Sequence, residues 1–177
     1  MARKKQLGFE FLENKGAKYF GGAYLKNSNP KLKRPITTQR SMHLVLRSSM
    51  ARGELSLLKK QRAIDKILTA QAKRFGVQVY KQANGGNHLH LIVLPRSRIG
   101  FQSFLRSVTG LVARLILGVE RGRAKGLRFW DQRPFTRVIE WGRDFGQVSA
   151  YLIQNTLEAL GFIPYQPRKY KLRPAPS

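Results

Sequence analysis

The chain has 177 residues, of which 42% are hydrophobic and none is cysteine, and its 34 lysines and arginines against nine acidic residues give a formal net charge of +25. The missing cysteine excludes disulfides and thiolate metal sites, and no apolar stretch is long enough to span a membrane. We therefore expect a cytoplasmic protein with neither a secretory signal nor a membrane partner. The charge predicts a polyanionic partner, most simply nucleic acid, and hence a location at the nucleoid.

The positive charge is spread along the whole chain. Residues 41–161 hold twenty basic and seven acidic residues, a net charge of +13. Residues 1–36 lack hydrophobic periodicity and are rich in lysine, glycine and asparagine, so we expect a basic, mostly irregular arm. Residues 164–177 are a second basic tail, which leaves residues 37–163 as the expected folded domain.

The first half of this domain shows one helix pattern among three strand patterns. Residues 42–47 alternate as a strand, and residues 54–75 have the apolar spacing of one long amphipathic helix. Residues 77–81 form a second predicted strand. The Asn-Gly-Gly-Asn turn at 84–87 predicts a hairpin that leads into a third strand at 88–94.

The second half adds a helix between Phe101 and Leu115, a basic loop at 118–125, a strand at 135–141 and a last helix at about 144–160. The complete order is strand, helix, strand, strand, helix, strand, with one more helix appended. This order predicts an α+β fold, a ferredoxin-like or RRM-like sandwich with helices packed on an antiparallel sheet. In that fold the first and third strands are central neighbours.

Two of the three histidines lie two residues apart in the third predicted strand. Because side chains alternate along a strand, His88 and His90 share one face, whereas Leu89, Leu91 and Val93 face a core. Two imidazoles on one face suit a shared metal ion, although two ligands do not complete a site. The alternative is a pair of partly solvated strand histidines.

The last predicted helix carries Tyr151 among polar side chains. At about 100° per residue, the residues Ala150, Ile153, Leu157 and Leu160 form an apolar stripe on the side away from Tyr151. We therefore expect this helix to pack through that stripe, with the tyrosine outside the core and amide side chains one turn away. The alternative to a functional role is a surface tyrosine that packs its ring on a neighbour.

An HxH with an apolar centre at 88–90, followed on a downstream helix by a tyrosine and an amide, resembles the HUH single-tyrosine transposases. Residues 42–47 resemble the first strand of the branch associated with REP elements, and residues 130–139 resemble its arginine-rich aromatic strand. The tyrosine element of that branch resembles residues 151–155. The resemblance covers roughly residues 37–163.

The resemblance implies a metal-dependent endonuclease and strand transferase that cleaves single-stranded DNA, in hairpins or repeats, with Tyr151 forming a 5′-phosphotyrosine. It implies that His88, His90 and an amide hold Mg²⁺ or Mn²⁺. The REP-associated branch uses an asparagine four residues after the tyrosine, here Asn155, and Gln154 is the alternative. Members act as monomers or as homodimers that exchange the tyrosine helix, so both states stay open.

DNA contacts are expected from the basic surface, with aromatic side chains stacking on unpaired bases. The candidates lie on the predicted strands and in the loops beside them: His43, Arg47, Arg121, Arg123, Lys125, Arg133 and Arg137. The alternatives are solvated surface charges for the basic residues and a structural role for His43. Two other functions stay open: a non-catalytic nucleic-acid-binding module, and a replication initiator or relaxase of the HUH superfamily.

Overall fold

A computed structural model of the chain describes residues 20–21, 36–119 and 128–166. Within these residues, five strands form one antiparallel sheet in the order β1-β5-β2-β4-β3. The elements are β1 (Phe20–Gly21), β2 (Met42–Arg47), α1 (Gln61–Phe75), β3 (Val77–Asn84), β4 (His88–Pro95), α2 (Arg98–Leu117), β5 (Phe135–Val138) and α3 (Arg143–Ala159). No helix in the described ranges is both long and apolar enough to cross a membrane.

The predicted sandwich is confirmed, with β2 and β4 as central neighbours. Their register places Leu44 opposite Leu91 and Arg47 opposite His88. One strand comes from outside the predicted domain, because Phe20 and Gly21 of the basic arm pair with the outer edge of β5. Residues 1–19 and 22–35 of that arm, and residues 167–177 of the tail, lie outside the described residues.

The main core lies on one face of the sheet, under α1 and α2. Leu89, Leu91 and Val93 of β4 are almost fully buried there, as the strand pattern predicted. Helix α2 contributes Phe101 and Phe104, both without solvent exposure. Burial of an aromatic side chain of this size stabilises a fold by about 2 kcal/mol, so packing on this face holds the two helices against the sheet.

The helix predicted from residue 54 begins later, at Gln61. Two short 3₁₀ turns, at Gly53–Leu55 and Leu57–Lys60, precede it. The reason is a competing hydrogen bond: the Leu57 N–H donates to the Gly86 carbonyl at 2.8 Å and so ties the backbone to the hairpin turn. The apolar periodicity continues through this region, but the bond from Leu57 to the hairpin turn interrupts the helical backbone bonding.

The hairpin between β3 and β4 forms as predicted, although β3 extends three residues further than expected, to Asn84. The Asn84 Oδ1 accepts a hydrogen bond from the Gly86 N–H at 2.9 Å, and Gly86 has φ of +82°, which its lack of a side chain permits. The Gly85 N–H donates to the His88 carbonyl. Strand β5, in contrast, ends at Val138 rather than at residue 141.

Helix α3 covers the opposite face of the sheet, and the apolar stripe predicted for it was wrong. Val148 and Leu152 are buried against Ile92 of β4, whereas Ile153 of the predicted stripe is 52% exposed. On the helical wheel the buried pair lies within about 100° of Tyr151. The helix therefore carries Tyr151 onto the histidine face of the sheet.

Candidate active site

Strand β4 presents both histidines of the HxH on the face that α3 covers. The centroids of the His88 and His90 rings are 4.7 Å apart, and the rings are nearly perpendicular, at 87°. His90 is buried, whereas His88, at the first position of the strand, is half-buried. The prediction that the two imidazoles share one face is confirmed, because Ile92 of the same parity packs under α3.

The hairpin turn holds the His88 ring. The Nδ1 of His88 lies 2.6 Å from the Oδ1 of Asn87. Gly85 makes room for the ring, since a Cβ at this position would lie 2.3 Å from the His88 Cε1 and 2.4 Å from its Nε2. The sequence predicted the turn from its backbone conformation alone, and not its role in making room for the His88 ring. The sequence signal for that role is the glycine three residues before a candidate metal ligand.

His43 of β2 lies directly beside His90. Its Nε2 is 2.9 Å from the Nδ1 of His90, and the two rings are stacked with centroids 5.1 Å apart. His43 is 5% exposed. Burial first, and then the positive charge of Arg137, lower the pKa of His43 to about 3, against an opposing effect of Asp144. His43 is therefore neutral at physiological pH.

Tyr151 of α3 completes this group of rings. Its ring centroid lies 5.4 Å from that of His90 and 6.4 Å from that of His43, and it is nearly perpendicular to both. The tyrosine is half-buried against the small apolar cluster under α3. The structure thus places a phenol next to the paired imidazoles, although 61 residues separate Tyr151 from His90 in the chain.

The two candidate amides one turn after Tyr151 differ in their surroundings. Asn155 is buried, and its Nδ2 donates to the Tyr151 carbonyl at 2.9 Å, so its amide oxygen is the atom it would offer to a cation. Gln154 lies on the other side of the tyrosine and donates to the Glu158 carboxylate at 2.9 Å. Of the two, Asn155 lies on the side of α3 that faces the sheet.

These residues fit a divalent cation of the Mg²⁺ or Mn²⁺ type. The described residues contain no group of three or more histidine, cysteine, aspartate or glutamate side chains that could hold a metal, so a third protein ligand would be an amide oxygen. The Nδ1 of His88 and the Nδ1 of His90 each lie within hydrogen-bond distance of another side chain, so Nε2 is the ring nitrogen that each would offer to a cation. Two imidazoles and an amide suit Mn²⁺ better than Mg²⁺ on ligand softness.

Comparison with known proteins gives a fold but no sequence match. No protein-family model matches the chain, and no curated protein matches it. Among solved structures, a REP-associated tyrosine transposase bound to a REP hairpin superposes with a TM-score of 0.59 over 74% of each chain, at 15% identity. The chain shares the fold of that REP-associated tyrosine transposase. A structure described as a candidate transposase of Deinococcus radiodurans R1 gives a TM-score of 0.44 at 16% identity, over 65% of this chain and 89% of the other.

Two residues predicted to contact DNA are buried in the structure. Arg137 is 3% exposed, and its Nη2 donates to the Oδ1 of Asp144, whose Oδ2 accepts the Glu140 N–H at 3.1 Å. This pair clamps β5 to the first turn of α3. His43 is likewise buried, beside His90, which agrees with the structural alternative and not with a contact to a base.

Arg47 and Arg133 are exposed, as predicted. Arg47 lies opposite His88 in the β2–β4 register, its side chain is 64% exposed, and its Nε lies 3.9 Å from the Asp131 carboxylate. Arg133 lies in the loop that precedes β5. The other three candidates, Arg121, Arg123 and Lys125, lie outside the described residues.

One surface feature was not predicted. Trp141 stacks on Phe145 with ring centroids 4.6 Å apart, and Tyr80 of β3 lies edge-on to Trp141 at 5.3 Å. We refer to Tyr80, Trp141 and Phe145 as the aromatic platform. Trp141 is 53% exposed although the ring beneath it holds it in place. The sequence signal was an aromatic pair four residues apart at a helix start, but the third ring, which lies edge-on to this pair, comes from a distant strand.

Proposed function

We propose that this protein is a metal-dependent single-stranded DNA endonuclease and strand transferase in which Tyr151 is the nucleophile. One observation carries the proposal: the Tyr151 ring lies 5.4 Å from the ring of His90, on the sheet face where His88 and His90 lie together. A phosphate group held at the imidazoles would be within reach of the phenol oxygen. The transposase fold of the chain is consistent with this use of the site.

The proposed reaction is a transesterification at phosphorus. The Tyr151 oxygen attacks the scissile phosphate and loses its proton to solvent, the bond from phosphorus to the 3′ oxygen breaks, and that oxygen takes up a proton. The products are a 5′-phosphotyrosine and a free 3′-OH. Because the ester linkage is conserved, the 3′-OH of another strand can attack the phosphotyrosine, join the strands and release the tyrosine without a nucleotide cofactor.

The protein's part in this reaction is to hold the reacting groups in place. His88, His90 and Asn155 would hold the divalent cation, which when bound supplies charge stabilisation at the scissile phosphate. The turn residue Asn87 fixes the ring of His88 through Nδ1. The burial of Val148 and Leu152 sets the height of Tyr151 over the sheet, and such positioning is a large part of catalysis by proximity.

We propose hairpin or repeat DNA as the substrate, because the transposase whose fold this chain shares was solved with a REP hairpin. Arg47, beside His88 at the open end of the site, would pair with a backbone phosphate. The aromatic platform would stack on an unpaired base, since exposed aromatic rings bind single strands in this way.

The test is formation of a covalent protein–DNA adduct. A single-stranded oligonucleotide with a hairpin, labelled at its 3′ end, is incubated with the protein and Mn²⁺ and resolved under denaturing conditions. We expect the label to migrate with wild-type protein, and Tyr151→Phe to abolish this adduct with no change in DNA affinity. Tyr165→Phe is the matched control, because Tyr165 is exposed and lies beyond the end of α3.

Cleavage that persists in Tyr151→Phe would overturn the proposal. Tight binding across a panel of hairpins without any adduct would instead support the second candidate, a non-catalytic nucleic-acid-binding module. That candidate rests on the charge of +25 and on the exposed basic and aromatic residues, which serve binding whether or not cleavage follows.

A further inference from the structure

The ring of His43 lies behind that of His90, away from any surface. It is buried in β2, its Nε2 is 2.9 Å from the Nδ1 of His90, and the two rings stack at 19°. A residue in this position cannot reach DNA, and its Nε2 lies against a candidate metal ligand. The nature of this contact therefore bears on what His90 can bind.

When both imidazoles are neutral, the hydrogen bond between them has a direction, and this direction decides which nitrogen of His90 can bind a cation. A neutral imidazole carries one N–H and one lone pair. If the Nδ1 of His90 donates, its Nε2 has the lone pair and can coordinate a cation. If the Nδ1 accepts, the Nε2 carries the proton and cannot coordinate.

We propose that His43 is a positioning residue that accepts the Nδ1–H of His90 at its own Nε2, and thereby fixes His90 in the tautomer whose Nε2 can bind the cation. This inference rests on the proposed function, because that function supplies the cation. In this arrangement His43 carries its own proton on Nδ1, and it makes His90 a stronger ligand, as acceptors behind metal-bound histidines do.

The second histidine of the pair shows the same arrangement with a different acceptor. The Nδ1 of His88 lies 2.6 Å from the Oδ1 of Asn87, an atom that can only accept a hydrogen bond. His88 is thus held with its proton on Nδ1. If His43 accepts the hydrogen bond from His90, both candidate ligands have the same tautomer. The Nε2 of each ring is then available to the same cation.

The charges around His43 explain why the acceptor is an imidazole rather than a carboxylate. Arg137 lies opposite His43 in the β2–β5 register and is buried, and its charge is already matched by Asp144. A carboxylate at position 43 would add an unmatched negative charge to this buried layer, which is costly. A neutral imidazole supplies the lone pair without that charge.

The first test reads the tautomers directly in metal-free wild-type protein. Long-range ¹H–¹⁵N correlation spectra of the imidazoles at pH 8 distinguish a protonated Nδ1 from a protonated Nε2. We expect both His90 and His43 to carry the proton on Nδ1. A His90 ring protonated on Nε2 would overturn the inference, and it would do so even if the protein cleaves DNA.

The second test measures Mn²⁺ affinity in the absence of DNA, by the loss of the free-ion electron paramagnetic resonance signal. We expect His43→Leu to weaken binding by about 10–100-fold, and His43→Gln, whose amide oxygen can still accept, to restore most of it. Circular dichroism and melting temperature report whether each variant is folded. A folded His43→Leu with wild-type affinity contradicts the inference, and if that variant does not fold the tautomer spectra decide.

The two tests separate this inference from the proposed function. Wild-type protein that binds Mn²⁺ with His90 protonated on Nδ1, yet forms no DNA adduct, would remove the endonuclease and leave the role of His43 intact. Formation of the DNA adduct by a protein whose His90 is protonated on Nε2 would support the endonuclease and remove the role of His43.

Discussion

Each histidine of the candidate site is held by residues that lie outside the HxH pattern itself. Asn87 contacts the Nδ1 of His88, His43 contacts the Nδ1 of His90, and Gly85 leaves the space that the His88 ring occupies. These neighbours fix the ring orientations before any ligand arrives. At the scale of single residues, the site therefore depends on a glycine and an asparagine of the turn as much as on the ligands.

Gly85→Ala tests this dependence. The new methyl group would lie 2.3 Å from the His88 Cε1, so the ring must rotate away. We expect Mn²⁺ affinity to fall about tenfold or more, by the usual size of such positioning effects, with little change in melting temperature because the side chain can move instead of the backbone. Gly110→Ala in α2 is the control, since its methyl group meets nothing within 4 Å. Unchanged affinity in Gly85→Ala would contradict this role.

The placement of the histidines could be predicted from the sequence, but the packing of Tyr151 could not. Alternation along a strand fixes which side chains share a face, so His88 and His90 were assigned correctly. The helical-wheel prediction for α3 considered only apolar residues and selected the stripe that contains Ile153, which is exposed. The helix instead buries a line that includes Asn155, because the sheet face beneath it presents histidines as well as Ile92.

At the scale of elements, the site depends on how α3 is attached to the sheet. The buried pair of Arg137 and Asp144 joins β5 to the first turn of α3, and Asp144 also accepts the Glu140 N–H. The pattern of apolar residues cannot predict this buried ion pair, because an arginine in a sequence is ordinarily interpreted as a surface charge. The same limit applied to α1, whose predicted start was too early because Leu57 bonds to the hairpin turn.

Asp144→Asn tests the attachment. Removing the carboxylate leaves the Arg137 charge buried without its counter-charge, which typically costs 3–5 kcal/mol, so we expect the free energy of unfolding to fall by about 3 kcal/mol. Urea denaturation measures it. Arg40→Ala is the control: its ion pair with Glu140 is exposed, with a distance of 3.9 Å, and its loss should cost less than about 1 kcal/mol. Equal stability of both variants would show that the buried pair does not anchor α3.

At the scale of the whole molecule, the order of strands and helices was enough to predict the sandwich, since few topologies accommodate that order. The exception is β1: two residues carry no periodic pattern, and they pair with β5 through backbone atoms. The net charge of +25 acts over the whole surface and would attract a polyanion, whereas a few exposed side chains near the site would determine how a DNA strand lies there.

Salt dependence separates these two contributions. We expect the logarithm of the single-strand affinity to fall linearly with the logarithm of salt concentration, and Arg47→Ala to reduce the slope by about 0.7, the value for one phosphate contact. Trp141→Ala should leave the slope unchanged and weaken binding by about 5–150-fold, through the loss of one stacked base. Ile153→Ala, an exposed apolar residue outside the aromatic platform, should change neither. A changed slope in Trp141→Ala would contradict base stacking at the platform.

The most direct measurement of the central claim is the mass of the peptide that carries the DNA. After reaction with a hairpin oligonucleotide and Mn²⁺, nuclease and trypsin digestion leave a nucleotide on the modified residue, and tandem mass spectrometry locates it. We predict a 5′-nucleotide esterified to Tyr151, in the peptide that begins at Asp144. A nucleotide found on any other side chain, or cleaved DNA with Tyr151 unmodified throughout the time course, would contradict the account.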